Sequence, residues 1–417
     1  MDFADRWDDE LRSFTERLLR FETTAGNEAP AQEWFRERLE AFGFETYEWV
    51  AEPAQLAAHP SFPDDPAAIE TADRPSVAGV LEFGDPDAGP TLVLNGHVDV
   101  VPAGRESGWS ASPFEPRWDG DRLTARGAAD MKSGLATCVF VARQLAETAT
   151  GLDGRLVVES VVGEEEGGIG AATAALSNPY PFDRDAAIVA EPTELRPITA
   201  TEGSLMARLR LEGRSAHAAT PWHGESVLPH FERIRRAFMQ LEAERGERVS
   251  HPLYEEFPTP WPVCFGTVEA GSWASTVPDE LVAEIRIGVA PGETVDEVER
   301  EFEARLASVV ADEPWLEANP PAFERFSIQF EAAETDPDEP VVGAVQSAMA
   351  EVGLEGTAPR GATYGADSRH YVAAGIPTVV FGPGSVQQAH FPDETIDWAE
   401  VLTAGETIVR AARTFLG

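Results

Sequence analysis

The spacing of apolar residues predicts an alternation of helices and strands in the first part of the chain. Residues 5–20 and 29–42 carry apolar side chains at helical intervals, whereas shorter apolar stretches at 45–50, 77–83 and 91–100 predict strands. The stretch at 91–100 is a continuous apolar run that ends in polar residues. This pattern is typical of a buried central strand that delivers a site at its carboxyl end.

The alternation continues with a predicted helix at 133–147, a strand at 155–162, a helix at 169–177 and a strand at 186–191. Strands that alternate with helices indicate βαβ units. We therefore predict an α/β fold, in which a mixed, mostly parallel sheet is covered by helices on both faces.

A different pattern begins near residue 200. Residues 204–211 and 281–289 alternate like half-exposed antiparallel strands, and helical spacing follows each of them, at 226–245 and 294–310. We interpret this region as a smaller inserted α+β sandwich. The α/β pattern then resumes with a predicted helix at 340–351, a strand at 377–382 and a helix at 397–415.

The charge of the chain is strongly one-sided. The 417 residues include 73 acidic and 32 basic side chains, which gives a formal net charge of −41, and Lys132 is the only lysine. Salt screens the repulsion within such a surface. We interpret the composition as that of a protein from a halophile. A GC-rich genome is the alternative explanation, but it accounts only for the missing lysine and leaves the excess of acid unexplained.

The same charge disfavours nucleic acids and anionic membranes as partners. No stretch approaches the roughly 20 apolar residues of a membrane span. The acidic first residues differ from a secretory signal, which has a basic start and an apolar run. Only Cys138 and Cys264 could form a disulfide, and they lie far apart in the sequence. We therefore expect a cytoplasmic protein.

Histidine and carboxylate residues follow several predicted strands. They are His97, Asp99, Asp130, Glu164, Glu165, Glu191 and His390. Clustered carboxylates repel one another unless a cation lies between them. A mixed set of histidine and carboxylate ligands suits zinc, manganese or cobalt. Because His97 and Asp99 are two residues apart on a strand, they share a face, and Asp99 could accept the second ring N–H of His97.

Each of these residues also has a simpler interpretation. A single buried histidine is usually a hydrogen-bonded core residue, residues 164–166 could be solvated charge, and Asp130 could cap a helix. Only their joint occurrence predicts a metal site. The chain contains no G-x-S-x-G motif of serine hydrolases and no phosphate-binding or dinucleotide-binding fingerprint.

Three motifs carry a resemblance to a known family: GHVDVVPAG at 96–104, ARGAADMKSG at 125–134 and GADSRHYVAAGIPTVVFGPG at 365–384. They resemble the M20 family of co-catalytic metallopeptidases and deacylases, and the similarity extends from the helix at 29–42 to His390. The resemblance implies two divalent metal ions, with zinc as the first choice and cobalt or manganese as alternatives.

The resemblance also implies a role for each ligand. His97 and Glu191 would hold one metal, Glu165 and His390 would hold the other, and Asp130 would bridge them with a water or hydroxide between the ions. It further implies a cis peptide bond between Asp130 and Met131.

Further roles follow from the same resemblance. Glu164 would be the general base and acid, and Asp99 would orient a metal ligand. His217 would reach the active site of a partner subunit and stabilise the oxyanion. Arg369 and Arg286 would bind a substrate carboxylate.

For the whole chain, the resemblance implies a catalytic domain formed by residues 1–198 and 333–417. Residues 199–332 would form a lid and dimerisation domain, through which the protein would be a homodimer. The expected reaction is hydrolysis of an amide, namely deacylation of an N-acyl amino acid in the manner of acetylornithine deacetylase or succinyl-diaminopimelate desuccinylase. The alternatives are a carboxypeptidase or dipeptidase, a formylaminopyrimidine deformylase, and a metal-containing binding protein without catalysis.

Overall fold

The computed structural model describes residues 2–148 and 150–417. The helices of these residues are α1 Phe3–Leu19, α2 Ala29–Ala41, α3 Pro53–Leu56, α4 Lys132–Thr148, α5 Ile169–Leu176, α6 Leu228–Arg248, α7 Val295–Ala311, α8 Pro314–Ala318, α9 Pro340–Glu351, α10 Ser368–Ala373 and α11 Trp398–Phe415. The strands are β1 Glu45–Val50, β2 Pro75–Phe83, β3 Thr91–His97, β4 Arg117–Asp119, β5 Arg122–Thr124, β6 Gly154–Val161, β7 Ala186–Val189, β8 Ile198–Thr201, β9 Gly203–Glu212, β10 Val263–Ala270, β11 Glu280–Val289, β12 Ala322–Arg325, β13 Ala333–Glu334, β14 Arg360–Ala362, β15 Thr378–Val380 and β16 Thr395–Asp397.

The largest sheet has the strand order β1-β2-β6-β3-β7-β15-β8-β13, and β14 also pairs with β8. Its central strands β6, β3, β7 and β15 are parallel to one another, whereas the pairs nearer the edges include antiparallel ones. The mixed α/β fold predicted from the sequence is therefore confirmed. Because the central strands run in one direction, their carboxyl ends meet at one edge of the sheet.

Helices cover both faces of this sheet, and their positions explain why the first half of β3 is mostly apolar. Leu92 and Leu94 face the core that contains residues of α1, α2, α4, α9 and α11. Val93, which points to the opposite face, packs in a second core with residues of α5 and α10. A strand that is buried on both faces favours a continuous apolar run, and all seven residues of β3 are buried.

A second sheet has the order β10-β11-β9-β12 and is antiparallel. Alternate residues of β9 and β11 point into a separate core with α6 and α7, where the rings of Phe238 and Phe302 meet edge to face at 5.0 Å. This is the region predicted as an inserted α+β sandwich. The domain boundaries at 198/199 and 332/333 stay a prediction.

A third, small sheet has the order β16-β5-β4. It pairs Thr395–Asp397 with Arg122–Thr124 and so joins the segment after His390 to the segment before Asp130. Among residues 2–148 and 150–417, no helix is long and apolar enough to cross a membrane.

Candidate metal centre

The predicted ligands converge at the carboxyl edge of the large sheet. His97 is the last residue of β3, Glu191 lies two residues after the end of β7, and Glu165 lies in the loop after β6. Asp130 lies just before α4, and His390 lies in the loop between β15 and β16. The parallel order of the central strands therefore brings together residues from distant parts of the chain.

His97, Asp130 and Glu191 form a first group, which we call the buried ligand group. The Nε2 atom of His97 lies 3.1 Å from Oδ1 of Asp130 and 3.4 Å from Oε1 of Glu191. The side chain of His97 is 1% exposed and that of Glu191 is 7% exposed. The peptide bond between Asp130 and Met131 is cis, so this prediction is confirmed.

Asp130, Glu165 and His390 form a second group, which we call the exposed ligand group. Nε2 of His390 lies 3.1 Å from Oε2 of Glu165 and 3.7 Å from Oδ2 of Asp130, and the His390 side chain is 54% exposed. In each group the candidate ligand atoms all lie within 4.8 Å of one another. Asp130 belongs to both groups and directs one carboxylate oxygen to each.

Burial raises the pKa values of carboxyl groups in both ligand groups. Burial raises the pKa of Glu191 to about 7, even though His97 opposes the shift. Burial also raises the pKa of Glu165, and Asp130 adds repulsion to it. A divalent cation between these oxygens would reverse both effects. The donor set of two histidines and three carboxylates fits a pair of such cations.

Asp99 connects the two ligand groups. Nδ1 of His97 lies 3.0 Å from the backbone carbonyl oxygen of Asp99 and 3.8 Å from its carboxylate. The structure thus differs from the expectation in the accepting atom, since the carbonyl is nearer. The Asp99 carboxylate instead accepts the backbone N–H of Glu165 at 3.1 Å. Asp99 therefore orients His97 with its backbone and the Glu165 loop with its side chain.

Sequence reasoning missed Glu394, which supports the shared ligand. This carboxylate is 1% exposed and accepts the backbone N–H groups of Gly127, Ala129 and Asp130 at 2.8–3.0 Å. Arg126 donates to it at 2.7 Å. Because Glu394 lies four residues after His390, it fixes the loop of one ligand against the loop of another. The signal available in the sequence for this residue was its position in the segment PDE at 392–394, just after His390.

Glu164 and Asp367 lie buried beside the ligands. Burial raises the pKa of Glu164 well above its usual range, and the nearby carboxyl of Asp367 adds to the shift. Asp367 is itself fully buried, and neither of its carboxyl oxygens has a hydrogen-bond partner among the described residues. Burial raises its pKa to about 7. Asp367 belongs to the GADSRHY motif, but the sequence analysis assigned it no role.

A cavity of about 370 Å³ opens onto these groups. Its lining consists of Asp130, Glu164, Glu165, Glu191, Pro192, Ser204, Arg286, Phe330, Tyr364, Gly365, Val386, Ala389 and His390. Arg286 is the cation in this lining, and it donates to Glu202 and to the carbonyl of Thr363, both at 3.1 Å. Glu202 is fully buried behind it, and burial raises its pKa to about 8.

The other predicted residues lie outside this lining. Arg369 is 2% exposed and donates to the carbonyl oxygens of Gly167 at 2.7 Å and Ala366 at 3.2 Å, and its guanidinium lies 4.1 Å from the ring centre of Phe330. His217 is exposed on the second sheet's side of the molecule, and its Nδ1 accepts the backbone N–H of Ala219.

The only lysine of the chain lies beside the metal ligands. Lys132 is fully buried, and its ammonium group donates to the carbonyl oxygens of Phe21 at 2.8 Å and Leu18 at 3.4 Å. Burial lowers its pKa to about 7. Lys132 thus ties the start of α4 to the end of α1.

Comparison with known proteins identifies the family. A family model described as Peptidase family M20/M25/M40 matches residues 93–414. The chain belongs to this family. It is therefore a metal-dependent hydrolase of the M20 type, and the resemblance seen in the three motifs is confirmed.

Two relatives align with nearly the whole M20 chain. The N-formyl-4-amino-5-aminomethyl-2-methylpyrimidine deformylase of Halalkalibacterium halodurans is 26% identical over 97% of this chain and 94% of its own length. The acetylornithine deacetylase of Myxococcus xanthus is 28% identical over 98% of both chains.

Among solved structures, a tripeptidase from Staphylococcus aureus shares the fold with a TM-score of 0.73, at 19% identity and over 98% of both chains. At this level of identity the likeness shows the fold alone.

Proposed function

We propose that this M20 enzyme deacylates an N-acyl amino acid. The observation that carries the proposal is the arrangement around one cavity: two ligand groups share Asp130, and Glu164 and Arg286 line the same cavity as ligands of both groups. The similarity to an acetylornithine deacetylase over 98% of both chains supports this choice of substrate.

The ligands we assign to one metal are His97, Asp130 and Glu191, and Asp130 serves the second with Glu165 and His390. When bound, two divalent ions supply Lewis-acid chemistry, which activates a water and polarises the scissile carbonyl. We propose zinc, with cobalt and manganese as alternatives, because all three accept this donor set.

Glu164 is the residue that we assign to proton transfer. It is buried, lines the cavity, and has no hydrogen bond to another described residue that would occupy its carboxylate. In this role it accepts a proton from the attacking water and donates it to the leaving amine.

Arg286 is the residue that we assign to the substrate carboxylate. Its guanidinium is part of the cavity lining, and its bonds to Glu202 and Thr363 hold it in a fixed orientation. A planar guanidinium held in this way can form two parallel hydrogen bonds with a carboxylate. Arg369, which is buried against Gly167 and Phe330, supports the glycine loop next to Glu164–Glu166 in this proposal.

A homodimer through the second sheet is part of the proposal. The strand β10 is an edge strand with mostly exposed side chains, and Trp222 and Trp273 nearby are 72% and 73% exposed. His217 lies beside them, because its segment is bridged to Thr276. A partner subunit that covers the two tryptophans would receive His217, which would there stabilise the oxyanion.

A second candidate function is deformylation of a formylated aminopyrimidine. The similarity to a deformylase of that substrate over 97% of the chain favours it. Phe330 and Tyr364 line the cavity and could contact an aromatic ring. The same hydrolytic residues would serve both reactions, so the substrate alone distinguishes them.

The test is hydrolysis that depends on added metal. The protein is purified in high salt, stripped of metal and reloaded with zinc, cobalt or manganese. It is then assayed for free amine from N-acetyl-ornithine, N-succinyl-diaminopimelate, N-acyl dipeptides and the formylaminopyrimidine. Release from an acyl amino acid, lost on stripping and regained on reloading, supports the proposal. Release from the formylaminopyrimidine alone supports the second candidate, and no release from any substrate contradicts both.

We also propose that the protein works in the cytoplasm of a halophile. The net charge of −41 supports the halophilic part, and the two free cysteines, Cys138 and Cys264, are consistent with a reducing compartment. Unfolding at low salt, followed by circular dichroism during dilution, is the expected result. Full stability in dilute buffer without salt contradicts the halophilic part.

A further inference from the structure

A second cavity continues the catalytic cavity on the far side of Tyr364. Its volume is about 460 Å³, and Pro192, Tyr364 and Val386 line both cavities. The Tyr364 hydroxyl donates to the carbonyl oxygen of Pro192 at 3.4 Å, so this side chain divides the two spaces. The cleft that holds the metal ligands is therefore longer than one small substrate requires.

The second cavity lies between the two main parts of the molecule. One wall is the loop after Glu191 together with β14, and the other includes Glu256 and Phe257, which belong to the segment between α6 and β10. A substrate that enters here meets side chains from both parts of the chain.

The arginine residues along the cleft differ in their partners. Arg286 pairs with Glu202 at 3.1 Å, and Arg360 pairs with Glu256. Arg196 donates one hydrogen bond to the carbonyl of Glu355 at 2.9 Å, and no carboxylate of the described residues lies within ion-pair distance of it. In a chain with 73 acidic residues, a half-buried guanidinium in a cavity without such a partner is suited to an anion from outside.

We propose that the cleft beyond Tyr364 binds the distal end of an elongated amide substrate, and that Arg196 binds a carboxylate at this end. The inference rests on the proposed amide hydrolysis and deepens it by naming the substrate class. The preferred substrate carries an extension, on the acyl side or on the amine side of the scissile bond, that ends in an anionic group.

The chain geometry is consistent with such a substrate. Arg196 and the metal ligand Glu191 belong to one loop, and the positive φ angles of Glu194 and Leu195 turn this loop along the cleft. A peptide or acyl extension that passes Tyr364 would leave the first cavity to the reacting amide.

Arg196 also has a possible structural role, because its guanidinium packs against Gly356 and holds the loop at 355–356. The two roles predict different results. A structural role changes the hydrolysis of every substrate in the same way, whereas a binding role changes only the hydrolysis of long anionic substrates.

The experiment uses the metal-loaded enzyme at one fixed high salt concentration. One substrate series extends the acyl group as dicarboxylic acids of increasing length, and the other extends the amine side from an N-acetyl amino acid to N-acetyl tripeptides. Each long substrate is prepared with a free terminal carboxylate and as its amide. The variants are Arg196→Gln and, as a control with the same charge change, Arg233→Gln, an exposed residue of α6.

We expect the wild type to prefer the long carboxylates of one series over their amides. Arg196→Gln should raise KM for those carboxylates by roughly tenfold or more, because a hydrogen bond to a charged group is lost. KM for short substrates and amides, kcat, and the kinetics of Arg233→Gln should stay unchanged. Gln387→Trp places a bulky side chain in the lining of the second cavity only. It should therefore also weaken the binding of the long substrates of that series.

Two results would overturn the inference. One is equal hydrolysis of long carboxylates and amides by the wild type in both series. The other is an Arg196→Gln variant whose KM rises equally for short and long substrates. Both leave the proposed function in place as long as short acyl amino acids are hydrolysed. Absence of hydrolysis for every acylated substrate, by contrast, contradicts the proposed function itself.

Discussion

The two ligand groups share Asp130 but differ in their surroundings. The buried ligand group takes His97 and Glu191 from the ends of central strands, and these side chains are almost fully enclosed. The exposed ligand group takes Glu165 and His390 from loops, and His390 is more than half exposed. The comparison shows that one sheet edge can build one enclosed and one accessible group of candidate metal ligands.

The difference has a physical cause in the backbone. β3 and β7 are hydrogen bonded to each other and to a further strand on either side, so His97 and the residues before Glu191 cannot move separately. His390, by contrast, has a positive φ of 64° and lies in a loop outside the sheet. We therefore expect tighter metal binding and slower exchange in the buried ligand group.

The largest expected effect is a loss of turnover without a loss of metal from either ligand group. Glu164→Gln removes the proposed proton acceptor but no ligand, so kcat should fall about 10²–10⁴-fold. Metal content, measured by elemental analysis, should stay at the wild-type level. A matching loss of metal would show that Glu164 is a ligand and that the division into two groups is incomplete.

The second prediction tests the comparison directly. His97→Ala and His390→Ala each remove one direct ligand, and the affinity of the affected group should fall by more than the roughly 10–100-fold typical of residues outside the coordination shell. Under mild chelation, His390→Ala should lose one metal. His97→Ala should also lose thermal stability, because the histidine that it removes is buried. Identical melting temperatures for the two variants would break the comparison.

The third prediction concerns the residue that supports the shared ligand. Glu394→Gln weakens the cradle of Asp130 and leaves Arg126 buried without its carboxylate. Metal affinity should fall roughly 10–100-fold in both groups, and the free energy of unfolding should fall by up to about 3–5 kcal/mol. Isothermal titration with zinc and chemical denaturation measure the two quantities. A loss confined to one group would show that Asp130 is held independently of Glu394.

The smallest expected effect is specific to the exposed ligand group. Glu166, next to Glu165, forms an ion pair with Arg74, which is buried and also bound to Glu28. Glu166→Gln should weaken metal binding in the exposed group by about threefold, because a partly exposed ion pair contributes up to about 1 kcal/mol.

A matched control for this variant is Glu82→Gln, which breaks an exposed ion pair with Arg155 away from the metal centre. Glu82→Gln should leave the affinity of both groups unchanged. An equal effect of the two substitutions would assign the change to overall charge and remove Glu166 from the comparison.

The sequence predicted the central strands of the large sheet well because they are buried on both faces. Apolar runs such as 91–100 have few alternative structures, and β3 occupies most of that run. It did not predict β10, whose residues Val263–Ala270 are mostly exposed, with only Val263 buried. The short strands β4, β5 and β16 were also missed, because three residues are too few to show a period.

For the site, the sequence predicted which candidate ligands would lie together, but it did not identify the residues that hold them in place. The ligand residues stand out because histidine and carboxylates follow apolar strands. Glu394 accepts backbone N–H groups, and Asp367 is buried without a hydrogen-bond partner among the described residues. Neither property can be inferred from the residue type. The arginine residues show the same limit, because only the fold reveals that Arg286 lines the cavity while Arg369 is buried behind it.

The burial of Lys132 has a practical consequence for labelling the protein. Reagents that acylate lysine side chains find none on the folded surface, because the only lysine ammonium group of the chain is enclosed between α1 and α4. Immobilisation or crosslinking of the folded enzyme therefore has to use other groups, such as carboxylates or the exposed thiol of Cys264. When α1 separates from α4, a single lysine becomes reactive. The fraction of molecules acylated at Lys132, measured by mass spectrometry, thus reports the fraction in which this region is unfolded, without an engineered probe.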